Sequence, residues 1–283
     1  MSRIILKDKA DMKHRRYTVI ANSRIMGSQD EIWVDPEVEV LSVKFSKVGK
    51  KSFESYPNLK WIVCRSHGSD NVRLDLAKQH NVGVVCTNPN VESVAQWIND
   101  KAKDQILGRD ILLFGPGRIG KRARNILKKE SFPKIKIHEV DSKTHENWIL
   151  EKVPICDRII LACSPTEKPV LNRKLLENFK GQIVSVARPQ CIDNDALLEA
   201  ILYGGVKHAH MDMLDPHLRD DLIKTEQCTY YKHQSWNFEF EYDDSYFTNL
   251  SIRIHECLNP KETPKGLVLD REASSLDKFF MWG

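Results

Sequence analysis

Short apolar runs alternate with helical patterns through the middle of the chain. Five segments have the length and composition of strands: DILLFG (110–115), KIKIHEV (134–140), DRIILAC (157–163), QIVSVA (182–187) and KHAHMDM (207–213). Between them, three segments place apolar residues at helical spacing: RIGKRARNILKKE (118–130), NRKLLENF (172–179) and NDALLEAILYGG (194–205). This alternation predicts an α/β fold in which helices cover both faces of a parallel sheet.

The first hundred residues repeat the pattern on a smaller scale. Four segments are predicted strands: YTVIANS (17–23), VEVLSVKF (38–45), KWIVCRS (60–66) and VGVVCTN (82–88). NVRLDLAKQH (71–80) is a predicted helix between the last two of them, and the tail has one predicted amphipathic helix at residues 246–258.

Length and charge limit the classes of protein that fit. A chain of 283 residues accommodates two domains of ordinary size or one large α/β domain. It has no apolar run of about 18 residues, so no membrane span is predicted, and its short N-terminal apolar stretch does not resemble a signal peptide. The 43 basic and 39 acidic residues give a net charge of only +4, which is weak support for nucleic-acid binding. We therefore expect a cytoplasmic protein whose partners include neither nucleic acid nor membrane.

Seven cysteines lie along the chain, at positions 64, 86, 156, 163, 191, 228 and 257. Their number is odd, no two are spaced as CxxC, and several lie within apolar strand-like segments. This distribution favours buried reduced thiols over a disulfide or zinc framework, and no metal site is predicted.

A glycine-rich loop follows the first of the central strands. Gly115, Gly117 and Gly120 have G-x-G-x-x-G spacing between a predicted strand and a predicted helix. In a dinucleotide-binding loop these glycines make the tight turn, admit the pyrophosphate to the backbone, and let helix and strand pack closely. The phosphates then face the helix N-terminus. The pattern predicts a dinucleotide site, and a glycine turn without a cofactor is the alternative.

An acidic residue closes the next predicted strand. Asp141 lies 21 residues after Gly120, where a carboxylate binds the adenosine ribose hydroxyls. It also repels the 2′-phosphate of NADP by about 4 kcal/mol at an effective dielectric constant of about 20. NAD is therefore the predicted cofactor, although Lys121 and Lys143 nearby weaken the preference.

Two longer segments, together with the glycine loop, resemble a known family. In IVSVARPQCIDNDALLEAILYGGVKHAHMDM (183–213), an Ala-Arg turn, an acid-Ala-Leu helix, a glycine and a strand ending in Met-Asp-Met occur in the family's order. LKWIVCRSHGSDNVRLDLAKQHNVGVVCTNPNVESVAQ (59–96) is similar to the family's strand, Gly-x-Asp loop, helix and strand. From about residue 55 to about residue 235 the chain resembles the D-isomer-specific 2-hydroxyacid dehydrogenases, which include phosphoglycerate dehydrogenase and glyoxylate/hydroxypyruvate reductases.

The resemblance implies an architecture and an activity. It implies two Rossmann-like domains with doubly wound parallel sheets, the cofactor domain being inserted in the substrate domain. The substrate domain would comprise residues 1–97 and 234–283, and the NAD-binding domain residues 98–233. The implied activity is hydride transfer between NAD and a small D-2-hydroxy acid or 2-oxo acid, and a homodimer is the implied assembly.

The catalytic residues follow by position. Arg188 matches the substrate-binding arginine, whose planar fork binds a carboxylate and polarises the adjacent carbonyl. His233 matches the proton-donating histidine, and Asp215 matches the acid that orients it and raises its pKa. Alternatives stay open: a structural ion pair for Arg188, an ordinary surface or core role for His233, and His217 or Asp220 as rival catalytic candidates.

The resemblance also assigns binding residues. Arg118, Ile119 and Pro165 join the three glycines and Asp141 in the cofactor site, and Asp212 would hold the nicotinamide carboxamide. In RSHGSD (65–70), backbone amides around Gly68 would hold the substrate carboxylate, with His67 beside it. Arg65 would add charge there or pair with Asp70.

Three features depart from the family pattern. Only QWINDKAKDQILGRD lies where the family has a long helical stretch, which puts hinge closure and dimer contacts in doubt. Pro189 follows Arg188 where glycine is usual, and Ser185 replaces an asparagine. Lys232 precedes His233 where proline is usual.

These departures leave competing interpretations. The first is an NAD-dependent dehydrogenase that works mainly as a 2-oxo acid reductase. The second is a catalytically inactive relative that binds NAD for a regulatory or structural role. A nucleic-acid binder is the third, and only the basic helix KRARNILKK favours it.

Overall fold

The chain forms two compact units, each with its own sheet. The computed structural model describes residues 3–6, 23–25, 35–44, 46–66, 68–87, 91–103, 109–131, 134–237, 244–259, 264 and 266–269. The first unit combines Met1–Asn90 with Glu241–Met281, and the second contains Val91–Phe240. The middle of the chain is thus inserted into a unit built from both of its flanks. The divisions predicted from the sequence, at 97/98 and 233/234, lie seven residues inside those of the structure.

Twelve strands and nine α-helices are described, numbered in chain order. The strands are β1 Arg3–Leu6, β2 Ser23–Ile25, β3 Val38–Val43, β4 Trp61–Cys64, β5 Gly83–Cys86, β6 Asp110–Phe114, β7 Ile137–Val140, β8 Cys156–Leu161, β9 Gly181–Ser185, β10 Val206–Met211, β11 Cys228–Tyr230 and β12 Leu267–Leu269. The helices are α1 Lys50–Ser55, α2 Leu74–Gln79, α3 Val91–Ala102, α4 Arg118–Ile126, α5 Glu146–Lys152, α6 Arg173–Asn178, α7 Asn194–Leu202, α8 Arg219–Lys224 and α9 Asp244–Leu258.

The first sheet has the strand order β2-β1-β3-β4-β5-β12. Strands β1 to β5 pair in parallel, and β12 pairs antiparallel with β5. The sequence pattern predicted parallel sheets and one helix in the tail, and it did not predict this antiparallel edge strand. Gly266, with φ +79°, precedes β12, and its carbonyl accepts from Cys86 N at 2.8 Å. Antiparallel edge strands of this kind are common on otherwise parallel sheets.

The second sheet is parallel throughout and has the order β7-β6-β8-β9-β10-β11. Its central strands are buried on both faces. Ile160 and Val184 face a cluster formed with α3 and α4, while Ile159 and Ile183 face the cluster formed with α5, α6 and α7. Double burial explains why these strands are continuous apolar runs in the sequence. The α/β class and the two Rossmann-like sheets are confirmed.

A buried ion pair joins α3 to the second sheet. Arg158 donates from Nη1 to Asp157 Oδ1 at 2.6 Å and from Nε to the Ala102 carbonyl at 2.5 Å. Asp157 and Arg158 are almost completely buried, so each charge compensates the other. The Arg158 guanidinium also supplies a donor to the carbonyl of Ala102, in the last turn of α3. Helix α3 therefore belongs to the second unit.

The predicted elements of the second unit are present with shorter bounds. The predicted strand 182–187 ends at Ser185, and the predicted helix 118–130 is α-helical only to Ile126, continuing as a π-helical turn, Leu127–Ser131. Several elements of the chain were not predicted from the sequence, among them α1, α3, α5, α8, β1, β11 and β12. Residues 17–22 of the predicted strand YTVIANS lie outside the described residues, and Ser23 begins β2. Within the described part of the chain, no helix has the length and apolarity needed to cross a bilayer.

Candidate functional site

The predicted site residues of the second unit follow its strands, in the loops at the carboxyl edge of the sheet or in the first turn of α4. Because all six strands are parallel, their carboxyl ends share this edge. The chain adds β7 on one side of β6 and then β8 on the other side, followed by β9, β10 and β11. The direction in which strands are added to the sheet therefore reverses between β6 and β8. In open α/β sheets, ligands bind at the carboxyl ends beside such a switch point.

The glycine loop packs too closely for side chains at two of its positions. Gly115 has φ +85°, and a Cβ there would lie 2.6 Å from Cys163 Cα. A Cβ on Gly120 would lie 2.1 Å from the Gly115 carbonyl oxygen. The turn and the close packing of α4 against the loop therefore both require glycine.

The N-terminus of α4 has no side-chain cap. Gly117 is its N-cap residue and lacks a side chain, so the amide groups of the first helical turn have no local side-chain acceptor. Arg118 is exposed at the first helical position, and Ile119 is half-buried against the α3–α4 cluster. An uncapped N-terminus with a neighbouring cation is suited to an anion.

Asp141 is exposed immediately after β7. Its Oδ1 accepts from Lys143 N at 2.9 Å and from Thr144 Oγ1 at 3.0 Å. These two hydrogen bonds, the backbone one first, lower the pKa of the Asp141 carboxyl. Asp141 is therefore an anion at neutral pH, on the loop next to the glycine turn.

A cavity of about 320 Å³ adjoins Asp141. Its walls are largely apolar, with Phe114 and Val140 from the strand ends and Ile149, Val170 and Leu175 from the flanking helices and the β8 loop. These five lining residues were not predicted from the sequence, although the two at the strand ends follow from the predicted strands. Pro165 lies exposed in the same β8 loop, beside Thr166, which also lines the cavity. An apolar cavity next to a carboxylate is suited to a planar base attached to a ribose.

Arg188 follows β9 and is half-buried. Its Nη1 donates to the thioether sulfur of Met213 at 3.1 Å. Pro189 begins a 3-10 turn, Pro189–Cys191, and Cys191 N donates to the Arg188 carbonyl at 2.9 Å. Pro189, which departs from the family pattern, thus takes the first position of a short helix. The backbone N–H group that proline lacks would have no partner within the helix at this position. Met213 was not identified as a site residue from the sequence.

Asp212 follows β10 and is 1% exposed. Its Oδ1 accepts from Ser235 N at 2.9 Å and its Oδ2 accepts from Ser235 Oγ at 2.8 Å. Its carbonyl accepts from His233 N at 2.6 Å. Asp212 is thus bonded to the turn that carries His233, a contact that the sequence analysis did not predict. Its assignment to the nicotinamide carboxamide stays a prediction.

The turn around His233 has unusual backbone geometry. Lys232 and His233 have φ of +54° and +56°, so both are in the left-handed region. This conformation is unfavourable by about 1–2 kcal/mol for each such residue. Proline, with φ fixed near −65°, could not occupy position 232 in this turn. The His233 side chain is exposed.

The other carboxylate predicted for catalysis lies in a local turn. Asp215 is half-buried, and its Oδ1 accepts from His217 N at 2.8 Å. His217 is exposed, and Asp220 is exposed in the first turn of α8. The pairing of Asp215 with His233 stays a prediction.

The substrate residues predicted in the first unit follow β4. His67 lies outside the described residues. The Gly68 carbonyl accepts from Ser66 Oγ at 2.6 Å, which closes the loop. Arg65 is completely buried and donates from Nη1 to Ser42 Oγ at 2.9 Å, so its guanidinium supports the strand ends.

All seven cysteines are buried, as predicted. Burial is the main cause that raises the pKa of Cys156, Cys228 and Cys257 to about 12, so these three stay protonated at neutral pH. No cluster of three metal-binding side chains occurs among the residues that the structure describes.

Comparison with family profiles gives two matches that overlap along the chain. The profile described as "D-isomer specific 2-hydroxyacid dehydrogenase, NAD binding domain" matches residues 83–235. The profile described as "D-isomer specific 2-hydroxyacid dehydrogenase, catalytic domain" matches residues 8–106. The first match alone covers more than half of the chain.

Individual relatives agree with the profiles. A hydroxypyruvate reductase of Thermotoga maritima is 27% identical over an alignment 235 residues long, and the match covers 69% of this chain and 76% of that protein. An NADPH-dependent glyoxylate/hydroxypyruvate reductase of Sinorhizobium meliloti, solved with NADP and malonate, has a TM-score of 0.70 at 17% identity over 96% of this chain and 100% of that one. A D-lactate dehydrogenase of Aquifex aeolicus, solved with NAD and lactic acid, has a TM-score of 0.62 at 18% identity over 90% of this chain and 94% of that one. At such identities the structural likeness concerns the fold.

Proposed function

The chain belongs to the D-isomer-specific 2-hydroxyacid dehydrogenase family, and we propose that Arg188 and His233 perform its chemistry on a small 2-oxo acid with NADH. The protein is an oxidoreductase that transfers a hydride between a nicotinamide cofactor and a small D-2-hydroxy acid or 2-oxo acid. The choice of dinucleotide, the acid and the residue roles are the proposed part.

The residues around α4 fit a dinucleotide. The uncapped N-terminus at Gly117 would offer amide groups to a pyrophosphate, and Gly115, Gly117 and Gly120 add no side chain at their positions. Arg118 and Ile119 would flank the phosphates, the cavity beside Val140 would take the adenine, and Pro165 and Asp212 would border the rest of the cofactor. When bound, NADH supplies the hydride.

Asp141 supports NAD over NADP. Its carboxylate is ionised and exposed beside the cavity, where it would accept hydrogen bonds from the ribose hydroxyls. A 2′-phosphate at the same place would meet this negative charge. Relatives solved with NAD and with NADP both occur, so the argument rests on Asp141 itself.

Arg188 and His233 would have different roles toward the substrate: Arg188 would bind it and His233 would protonate it. The Arg188 guanidinium would bind the carboxylate of a 2-oxo acid and polarise its carbonyl. A ring nitrogen of His233 would give its proton to the carbonyl oxygen, and the exposed imidazole would then take a proton from solvent. Asp215 would orient the ring, and Gly68 with His67 would contribute to carboxylate binding.

One observation carries this proposal. Asp212 accepts a hydrogen bond from the His233 backbone, and Met213, the next residue, accepts one from the Arg188 guanidinium. The proposed carboxylate-binding arginine and the proposed proton donor are therefore both hydrogen-bonded to the same two-residue segment after β10. This shared attachment supports a common site for the two residues, as reduction of a 2-oxo acid would require.

Steady-state kinetics test the proposal. We would measure NADH oxidation with glyoxylate, hydroxypyruvate, pyruvate and longer 2-oxo acids, together with NADH binding by calorimetry. Arg188→Ala should lower kcat/KM by about 100-fold or more, and His233→Ala should lower kcat by about 100-fold or more. NADH binding should persist in both variants.

His217→Ala tests the rival histidine at this edge, and His255→Ala, at an exposed position of α9 in the first unit, is the control. Both variants should behave like the wild type. NADH binding without turnover of any acid would contradict the proposal and favour the catalytically inactive relative.

A cytoplasmic location and a homodimer are the remaining proposals. The abundance of buried cysteines supports a reducing compartment. Light scattering of the purified protein tests the dimer, and a monomeric mass at assay concentration would contradict it.

A further inference from the structure

The turn that carries His233 is held in a conformation that it would not keep by itself. Two consecutive L-residues, Lys232 and His233, have positive φ, and no other such pair occurs in the part of the chain that the structure describes. Strained backbone persists only where surrounding contacts over-determine it, and it clusters at functional sites. The contacts that hold this turn therefore indicate what positions the imidazole.

Asp212 and Ser235 supply these contacts. The Asp212 carbonyl accepts from His233 N, and both oxygens of its carboxylate accept from Ser235, one from the amide and one from the hydroxyl. Asp212 is 1% exposed and Ser235 is 2% exposed, so water does not compete for these bonds. Hydrogen bonds to a charged acceptor in such surroundings are stronger than neutral ones. We call this contact the Asp212–Ser235 clamp.

The clamp is joined to rigid structure on both sides. Asp212 N donates to the Ser185 carbonyl at 2.9 Å, which continues the pairing of β10 with β9. Trp236, next to Ser235, packs in the apolar cluster formed with α3, where the rings of Trp97 and Tyr231 are 5.1 Å apart. Residues 232–234 therefore form a short turn that is held at Asp212, next to β10, and at Ser235 and Trp236, next to the apolar cluster.

The serine hydroxyl has a separate contribution within the clamp. An alanine at position 235 would keep the amide that reaches Oδ1, but Oδ2 would lose its hydroxyl donor in a buried place. The family's usual device, a proline before the histidine, is unavailable because φ at position 232 is +54°. The hydroxyl of Ser235 is thus the chain's own means of stiffening the turn.

We propose that Ser235 is a positioning residue: through the Asp212 carboxylate, its hydroxyl holds His233 where the imidazole can protonate the carbonyl oxygen of a 2-oxo acid. The inference rests on the proposed function, because it takes His233 as the proton donor. Ser235 itself touches neither substrate nor cofactor in this scheme.

The test is Ser235→Ala, assayed with NADH and the 2-oxo acid that the wild type reduces fastest. We expect kcat to fall about 10- to 100-fold, since only the proton-transfer step loses its alignment. The KM of the acid should change by less than about threefold. The solvent deuterium isotope effect on kcat should rise, because proton transfer becomes slower relative to the other steps. Ser235→Thr, which keeps the hydroxyl, should recover most of the lost kcat.

Two further variants keep the test decisive. Thr225→Ala removes another hydroxyl hydrogen bond in the same unit, from Thr225 Oγ1 to the Leu222 carbonyl at 2.6 Å, and it should leave kcat and the isotope effect unchanged. If Ser235→Ala does not fold, Ser235→Cys, nearly isosteric but a weak donor, replaces it and should show the same changes in smaller measure.

The inference is overturned if His233→Ala is inactive while Ser235→Ala keeps the kcat and isotope effect of the wild type. It is also overturned if Ser235→Ala and Thr225→Ala lose activity equally, which would indicate a general effect on folding. A His233→Ala variant as active as the wild type would instead overturn the proposed function, and the inference with it.

Discussion

The Arg188 guanidinium donates a hydrogen bond to the thioether of Met213, 3.1 Å away, across the ends of two neighbouring strands. A thioether is a weak acceptor without charge, so this contact can aim the guanidinium without neutralising it. Met213 is thus the contact through which the segment after β10 orients this guanidinium.

Met213→Leu should weaken substrate binding selectively. Leucine fills a similar volume but accepts no hydrogen bond, so the guanidinium would lose this constraint. We expect the KM of the 2-oxo acid to rise about 3- to 10-fold, with NADH affinity unchanged, as measured by steady-state kinetics and calorimetry. Met213→Gln, whose amide oxygen is an acceptor, should keep KM near the wild-type value. An unchanged KM in the leucine variant would show that the thioether has no orienting role.

Asp141→Asn should relax the preference for NADH. The ionised carboxylate is exposed, so water and salt screen its repulsion of a 2′-phosphate. We expect the ratio of kcat/KM for NADPH to that for NADH to rise about 10- to 100-fold. Glu151→Gln removes one exposed negative charge from α5 and should leave the ratio unchanged. Equal ratios in the two variants would mean that Asp141 does not face the ribose.

Gly120→Ala should destabilise the second unit. The added methyl group would meet the Gly115 carbonyl oxygen at 2.1 Å, and that oxygen belongs to backbone that cannot rotate away. We expect the free energy of unfolding in urea to fall by about 1–3 kcal/mol, together with weaker NADH binding. Gly49→Ala is the control, because a Cβ there has no heavy atom within 4 Å. A neutral effect at position 120 would mean that α4 is not packed as closely as described.

His210 should make stability depend on pH. Its ring is buried, with Nε2 3.0 Å from Gln182 Nε2 and Nδ1 3.0 Å from the Tyr231 hydroxyl. Burial is the largest cause that lowers its pKa to about 4, and the positive charges of His208 and Lys101 add to it, while Asp100 opposes them. The unfolded chain, with a histidine pKa of about 6.5, binds a proton that the folded chain does not.

The neutral imidazole therefore contributes stability that is complete above about pH 6.5 and is lost as the pH falls toward 4. Across this pH range, the free energy of unfolding of the wild type should fall by on the order of 2 kcal/mol more than that of His210→Asn. Urea denaturation at several pH values measures both. His145→Asn, at an exposed position, should keep the wild-type dependence. Parallel pH profiles for wild type and His210→Asn would contradict the assignment.

Much of the fold was predictable because its signals are local. The apolar runs that became β6, β8 and β9, and the glycine spacing between β6 and α4, each lie within one short stretch of chain. The short helices α1 and α8 and the edge strand β12 gave no comparable signal, since packing rather than sequence periodicity stabilises elements of three to six residues. The family motifs then indicated Arg188 and His233 as candidate catalytic residues. They did not indicate the hydrogen bonds that fix the positions of these two residues.

The sequence by itself determined the α/β class and the inserted arrangement of the two units, and it supplied the candidate residues for a dinucleotide and a 2-oxo acid. Only the tertiary structure decided that Ser235 binds Asp212, that Met213 faces Arg188, and that Lys232 and His233 have positive φ. The physical reason is range: apolar periodicity and glycine spacing act between residues a few positions apart. The clamp and the thioether contact join residues more than twenty positions apart, and they form only when parallel pairing brings neighbouring strand ends together.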